Sequence, residues 1–154
     1  MSFNDTMTLG AARDELRELI EDGHQCPCCT QFAKVYRRKI HTSMASALIR
    51  IYRARQYEWV TVADILTHRQ IADVAKLEYW GLIERQIGER DDGSKRVGIW
   101  RMTGIGREFV QLRTSVHKYA RIYDGRCLGM TGEPVTIRDC LGGSFNYEEL
   151  MYGI

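Results

Sequence analysis

The stretch "THRQIADVAKLEYWGLIERQIG", residues 67–88, decides how this chain is read. Thr67 and Gln70 stand three apart, the spacing of a capping box in which each satisfies the other's backbone N–H. Ile71, Val74, Ala75 and Leu77 then fall on one arc at 100° per residue, and Gly81 offers a left-handed stop. The spacing predicts a helix over 67–81 that turns into a strand over 82–88. Its outward arc holds Arg69, Ala72, Asp73 and Lys76, with Trp80 at the edge. Glu78 falls near the inward arc, which makes sense only where the helix loosens at its end.

Working outward, "VTVADIL" (60–66) predicts a short helix and "RVGIWRMT" (96–103) a second strand. The polar hairpin "ERDDGSKR" (89–96) links the two strands, and "GIGREFVQL" (104–112) predicts a closing helix. Helix, helix, strand, charged loop, strand and helix is the order of a winged helix-turn-helix. "KLEYWGLIER" followed by "GIWRMTGIGREFV" resembles winged-helix proteins of the MarR and PadR type, over residues 60–112, about a third of the chain. The resemblance implies an α+β, mostly helical fold with a winged helix-turn-helix core over 42–113. On such a fold Arg69 and Lys76 on the outward arc, and Lys95 and Arg96 on the wing, are second-rank candidates for nucleic-acid contact, while Asp73, Glu89, Asp91 and Asp92 leave that surface close to neutral. The longer order "CPCC…AKVYRRKI…YWGLIE…WR.T..GR.FV…KY..IY.G" is similar to small proteins encoded by bacteriophages and prophages.

Around that core the chain predicts an N-terminal segment, 1–41, and a C-terminal one, 114–154. Thr8 caps a helix with Leu9, Ala12, Leu16, Leu19 and Ile20 on one face, ending near Gly23. This amphipathic helix is a candidate homodimer face. A second helix, 43–56, is capped by Ser43 and striped by Met44, Leu48, Ile51 and Tyr52. "KYARIYDGRCLGM" (118–130) predicts a β-hairpin turning at Asp124-Gly125, the type I′ pair. That register sets Cys127 opposite Ile122 on an apolar face. Thr136-x-x-Asp139 and Asn146-x-x-Glu149 mark two short terminal helices, the first carrying Cys140 into the core.

The chain has 154 residues, enough for one sizeable core, with 44% hydrophobic and 27% charged residues. No apolar run approaches ~18 residues, so no membrane span is expected, and "MSFNDTMTLG" is no signal peptide. Five cysteines, three of them within four residues, suit thiols or metal ligands in a reducing cytoplasm better than disulfides. The net charge of +2 is unevenly spread. Residues 1–22 carry six acids against two bases, whereas 23–57 carry seven bases and no acid. An acid-free basic block suggests a surface for a polyanion, and Lys34, Arg37, Arg38, Lys39, Arg50 and Arg53 lead it.

Within "HQCPCC" (24–29), Cys26 and Cys29 have the C-x₂-C spacing that lets two thiolates reach one tetrahedral zinc. Cys28 and His24 are the nearby candidates to complete a structural zinc site. A nucleophilic Cys26 or Cys28 with His24 as base would lack an orienting third group. No phosphate-cradling Gly-rich loop or H-E-x-x-H motif is present. The expected function is a non-enzymatic DNA-binding protein of phage or prophage type, in regulation or DNA metabolism, with double-stranded DNA as partner. The alternative is a protein-interaction module that blocks a host protein or a CRISPR-type nucleoprotein.

Overall fold

The computed structural model describes residues 4–55, 57–87 and 98–153. They group into two units: the chain up to Arg38 together with Arg121–Gly129, and Lys39–Ala120 together with the chain from Met130 onward.

In the first unit, helix α1 (Leu9–Leu19) starts where expected, Thr8 Oγ1 accepting the N–H of Ala11 at 3.1 Å. Gly23, at φ 94°, donates its N–H to Leu19 O and ends the turn. Its apolar face is only partly covered: Ala12 is buried, while Leu9 remains 55% exposed. Strands β1 (His24–Gln25) and β2 (Phe32–Ala33) form a small antiparallel hairpin, His24 opposite Ala33. Strand β3 (Tyr36–Lys39) follows. Strands β7 (Val116–Tyr123) and β8 (Arg126–Val135) meet at a turn, and Arg121–Gly129 around that turn belongs to this unit. Asp124 and Gly125 both have positive φ at the β7–β8 turn, as a type I′ turn requires. Glu21 accepts from Arg121 Nε at 2.9 Å.

The second unit is built around helix α2 (Thr42–Arg55). A helix apolar on every side has to sit inside other elements. Met44, Ala45, Ala47, Leu48, Ile49 and Ile51 are each at most 1% exposed. Packed against α2 are α3 (His68–Val74), α4 (Gly104–Val110), α5 (Ile137–Leu141) and α6 (Tyr147–Tyr152). Strands β4 (Val60–Thr61), β5 (Ile83–Arg85) and β6 (Ile99–Met102) form an antiparallel sheet in the order β4-β6-β5, with Val60 opposite Trp100 and Ile83 opposite Met102. Several polar groups drawn inside are satisfied, the buried Ser43 hydroxyl being an exception. Gln70 Nε2 donates to Ser46 Oγ at 3.0 Å, Trp80 Nε1 to His117 O at 2.7 Å, and the Tyr147 hydroxyl to Val110 O at 2.5 Å. Among the described residues no helix is long and apolar enough to cross a membrane.

The fold is α+β, but the winged helix-turn-helix core is not what the chain builds. The helix expected over 60–66 is instead strand β4 followed by one 3₁₀ turn, Val62–Asp64. The reason is in "VTV": three β-branched residues in which Val60 and Val62 are buried and Thr61 exposed, the alternation of a strand. The expected recognition helix stays α-helical for only seven residues and then tightens to 3₁₀ over Ala75–Trp80. This tightening turns Trp80 inward and Ala75 outward, and places Glu78 to take Arg85 in two hydrogen bonds of 2.9 and 3.1 Å. The hairpin that would be the wing lies outside the described residues. Eight strands in three small sheets and six helices are what the described residues contain.

Two smaller corrections concern caps and thiols. α2 begins at Thr42, not at a Ser43 cap; Thr42 Oγ1 donates to Cys140 O at 3.1 Å, and Ser43 falls in the first turn. The Cys127 side is exposed, because the hairpin tip from Tyr123 to Leu128 is uncovered; its thiol donates to Gly129 O. Cys140 is buried as expected, and burial pushes its thiol up to about 12.

Candidate nucleic-acid interface and cysteine turn

The basic segment is divided by the fold. Lys34, Arg37 and Arg38 belong to the first unit; Lys39, Arg50, Arg53, Arg69 and Lys76 belong to the second. Lys95 and Arg96 lie outside the described residues.

"FAKVYRR" (32–38) alternates as an extended chain with one side on the protein. Ala33 and Val35 are 6% and 2% exposed, and Val35 donates its N–H to Ile20 O at 2.9 Å. The intervening positions face out: Phe32 at 65% exposure, Lys34 half-buried, Tyr36 at 48%, and Arg38 exposed. Lys34 Nζ stands 5.5 Å and Arg38 Cζ 5.6 Å from the centre of the Tyr36 ring, so two cations flank one aromatic face-former. Among the described residues neither Lys34 nor Arg38 is paired with a carboxylate, so their charge is available to a ligand. The aromatic partners were missed in the sequence. The alternation of "FAKVYRRK" was the signal that could have found them.

In the second unit Arg50 and Arg69 line one cavity of about 520 Å³ with Thr42, Thr67 and Ser144. Arg50 and Arg53 share a neighbouring one of about 500 Å³. Arg50 donates to Ile65 O at 3.0 Å and Arg53 to Leu150 O at 2.9 Å. A neutral carbonyl uses one of a guanidinium's five donors and leaves its charge intact. Lys39 lines a separate cavity of about 340 Å³ with Lys118, Glu133 and Asp139, where the charges offset. Lys76 is taken up by Asp73 at 3.0 Å, which His41 also approaches at 3.7 Å. Burial raises Asp73, but the Lys76 hydrogen bond and charge, then Ser43 and His41, outweigh it and hold the carboxyl below its usual range. The buried Ser43 hydroxyl contributes by proximity, since its geometry makes no hydrogen bond. Of the expected outward pair, only Arg69 remains exposed to solvent without an acidic partner.

The cysteine turn is a tight knuckle closing the β1–β2 hairpin. Cys26 N–H bonds to Gln31 O at 2.7 Å, Thr30 N–H returns to Cys26 O at 3.0 Å, and Thr30 takes a left-handed φ of 66°. Cys28 N–H points at Cys26 Sγ at 3.4 Å. The backbone N–H of Cys29 foremost, then that of Cys28, then the Cys29 thiol, favour the thiolate and lower the Cys26 pKa. Cys28 and Cys29 are exposed. His24 stands in β1 with Nδ1 2.8 Å from Gln25 O. Among the described residues no three His, Cys, Asp or Glu side chains gather closely enough to hold a metal.

No family model, no curated protein and no solved structure matches this chain.

Proposed function

We propose that this is a non-enzymatic nucleic-acid-binding protein that holds the phosphate backbone through Lys34 and Arg38, on either side of Tyr36 in its first unit. The observation that carries the reading is the extended segment on which Lys34 and Arg38 flank the exposed Tyr36 ring without carboxylate partners among the described residues. Phosphate contacts supply most sequence-independent affinity and need unpaired positive charge at the contact face. Arg50, Arg53 and Arg69 offer a second phosphate-binding surface, which duplex DNA could engage. The similarity in residue order to phage and prophage proteins supports a role in regulation or DNA metabolism in the host cytoplasm. Any zinc the protein carries is assigned to Cys26 and Cys29. A second reading, docking on a host protein, is favoured by Ile87, an apolar side chain left 92% exposed.

Salt-titrated binding tests the main reading. Affinity for a labelled 20-nucleotide probe, single- or double-stranded, is expected at ~50 mM salt, falling linearly in log–log form as salt rises. The Lys34→Ala/Arg38→Ala double variant is expected to lower both affinity and slope. No affinity at ~50 mM salt for either probe, or affinity and slope unchanged in the double variant, would refute the proposal.

A further inference from the structure

We infer that the ligand of the first unit is single-stranded nucleic acid, its bases stacking on Phe32 and Tyr36 while Lys34 and Arg38 neutralise the phosphates between them. The inference rests on the nucleic-acid reading above and specifies its substrate class.

The aromatic side chains carry the argument. Burying a phenylalanine is worth about 1.5–3 kcal/mol, yet Phe32 keeps 65% of its surface in solvent. It is held in that position: a Cβ on Gly23 would lie 2.4 Å from Phe32 Cζ and 3.1 and 3.2 Å from the two Cε atoms, so the tip of the ring rests against a backbone that glycine leaves open. One part of the ring is thus pinned and the rest presented. Tyr36, four residues on, is 48% exposed. The two residues can be at most roughly 14 Å apart along an extended chain, with Lys34 midway between them. Aromatic and basic residues therefore alternate: Phe32, Lys34, Tyr36, Arg38.

A polyanion of any kind would satisfy the cations, but only an unpaired base offers a π-face to the rings. In a duplex those faces are covered by neighbouring base pairs, and proteins read its groove edges by hydrogen bonds instead. Single strands are held by the combination found here, a cationic track with aromatic platforms on which bases stack, largely without regard to sequence. Free phosphate would give the aromatic residues nothing to stack on.

The test is fluorescence anisotropy with three labelled probes at ~50 mM salt: dT20, rU20 and a 20-base-pair duplex. Proteins are the full chain and its Phe32→Leu, Tyr36→Leu and Arg38→Gln variants, each first checked for an unchanged melting temperature. Should Phe32→Leu lose its fold through the Gly23 contact, Tyr36→Leu decides alone. The expected results are tighter binding of a single strand than of the duplex and a 5- to 150-fold loss, about the range for one stacked base, in each leucine variant. The leucine variants are expected to keep the salt slope, whereas Arg38→Gln lowers it by about 0.7. Whichever of dT20 and rU20 binds more tightly identifies the sugar. Duplex bound as tightly as the single strands, or leucine variants that bind like the unaltered chain, overturns this inference while leaving the phosphate-binding reading intact. Binding of none of the three probes overturns both.

Discussion

Replacing Gly106 with alanine reverses the usual sign of that substitution. In a helix interior, glycine to alanine gains up to about 1 kcal/mol, because alanine loses less backbone freedom on folding. Gly106 lies in α4, buried, with unremarkable helical geometry, so propensity alone forecasts a gain. A Cβ there, however, would stand 2.1 Å from Leu82 O and 2.8 Å from Met102 Cγ. Ordinary contact begins near 3.4 Å, so the carbonyl and the new methyl must part by about 1.3 Å. Leu82 O cannot move freely, since it accepts the Thr103 N–H at 3.1 Å, just ahead of the helix. Overpacking costs about 1–3 kcal/mol, and loosening that hydrogen bond about 1 kcal/mol more. Set against the propensity gain, the net expectation is a loss of about 1–3 kcal/mol. For a chain of this length that is a fall in Tm of roughly 2–12 °C by calorimetry or circular dichroism. Gly104→Ala is the control: its Cβ would meet only the end of the flexible Arg107 side chain at 3.7 Å, and Tm is expected to stay level or rise. A Gly106→Ala protein that melts at or above the unaltered chain would show that α4 does not press against Leu82 as described.

Thiol chemistry and alkaline stability offer two further checks. At pH 7 iodoacetamide is expected to modify Cys26 faster than Cys28 or Cys29, because backbone N–H groups favour its thiolate, and to leave buried Cys140 unmodified; mass spectrometry of timed digests reads this, and equal rates at 26, 28 and 29 would contradict the knuckle geometry. Burial, with smaller help from Asp139 and from Tyr152 respectively, raises the Cys140 thiol from 9.0 and the Tyr147 hydroxyl from 10.0, each to about 12. A folded pKa above the unfolded one means stability that is complete below the unfolded value and lost as pH climbs to the folded one. Urea midpoints are therefore expected to fall between pH 9 and 12, and Tyr147→Phe to fall less steeply above pH 10; parallel curves for the two proteins would rule the Tyr147 contribution out.

Features set by neighbouring residues were readable in the sequence. Thr8, Thr67, Thr136 and Asn146 all cap helices where the spacing placed them, because a cap is a bond between residues three apart. The Asp124-Gly125 turn is legible for the same reason. What the sequence did not reveal depends on packing that only the folded chain supplies. "VTVADIL" satisfies a helical stripe as well as a strand, and pairing of Val60 with Trp100 decides for the strand. Likewise, whether α3 continues past Val74 is settled by burying Trp80 and bonding it to His117, 37 residues away. In the candidate interface the cations were visible as an acid-free run, while the stacking surface was not. Phe32 looks like a core residue in composition, and only its seat against Gly23 shows that it faces solvent.

Strands β3 and β8 are guarded differently against pairing with a foreign strand. Along β8, Gly129 and Gly132 adopt positive φ and Pro134 lacks an N–H, so a foreign strand finds an irregular row of donors. The β3 edge has no such breaks; it is short and carries Arg37, Arg38 and Lys39. Their mutual repulsion is what keeps a second β3 from pairing there. Arg38, proposed to hold a ligand, therefore has a second expected duty, and neutralising it with its neighbours on β3 is expected to favour strand addition. Self-association of charge-neutralised variants, followed by light scattering as salt is raised, is the expected sign of that second duty.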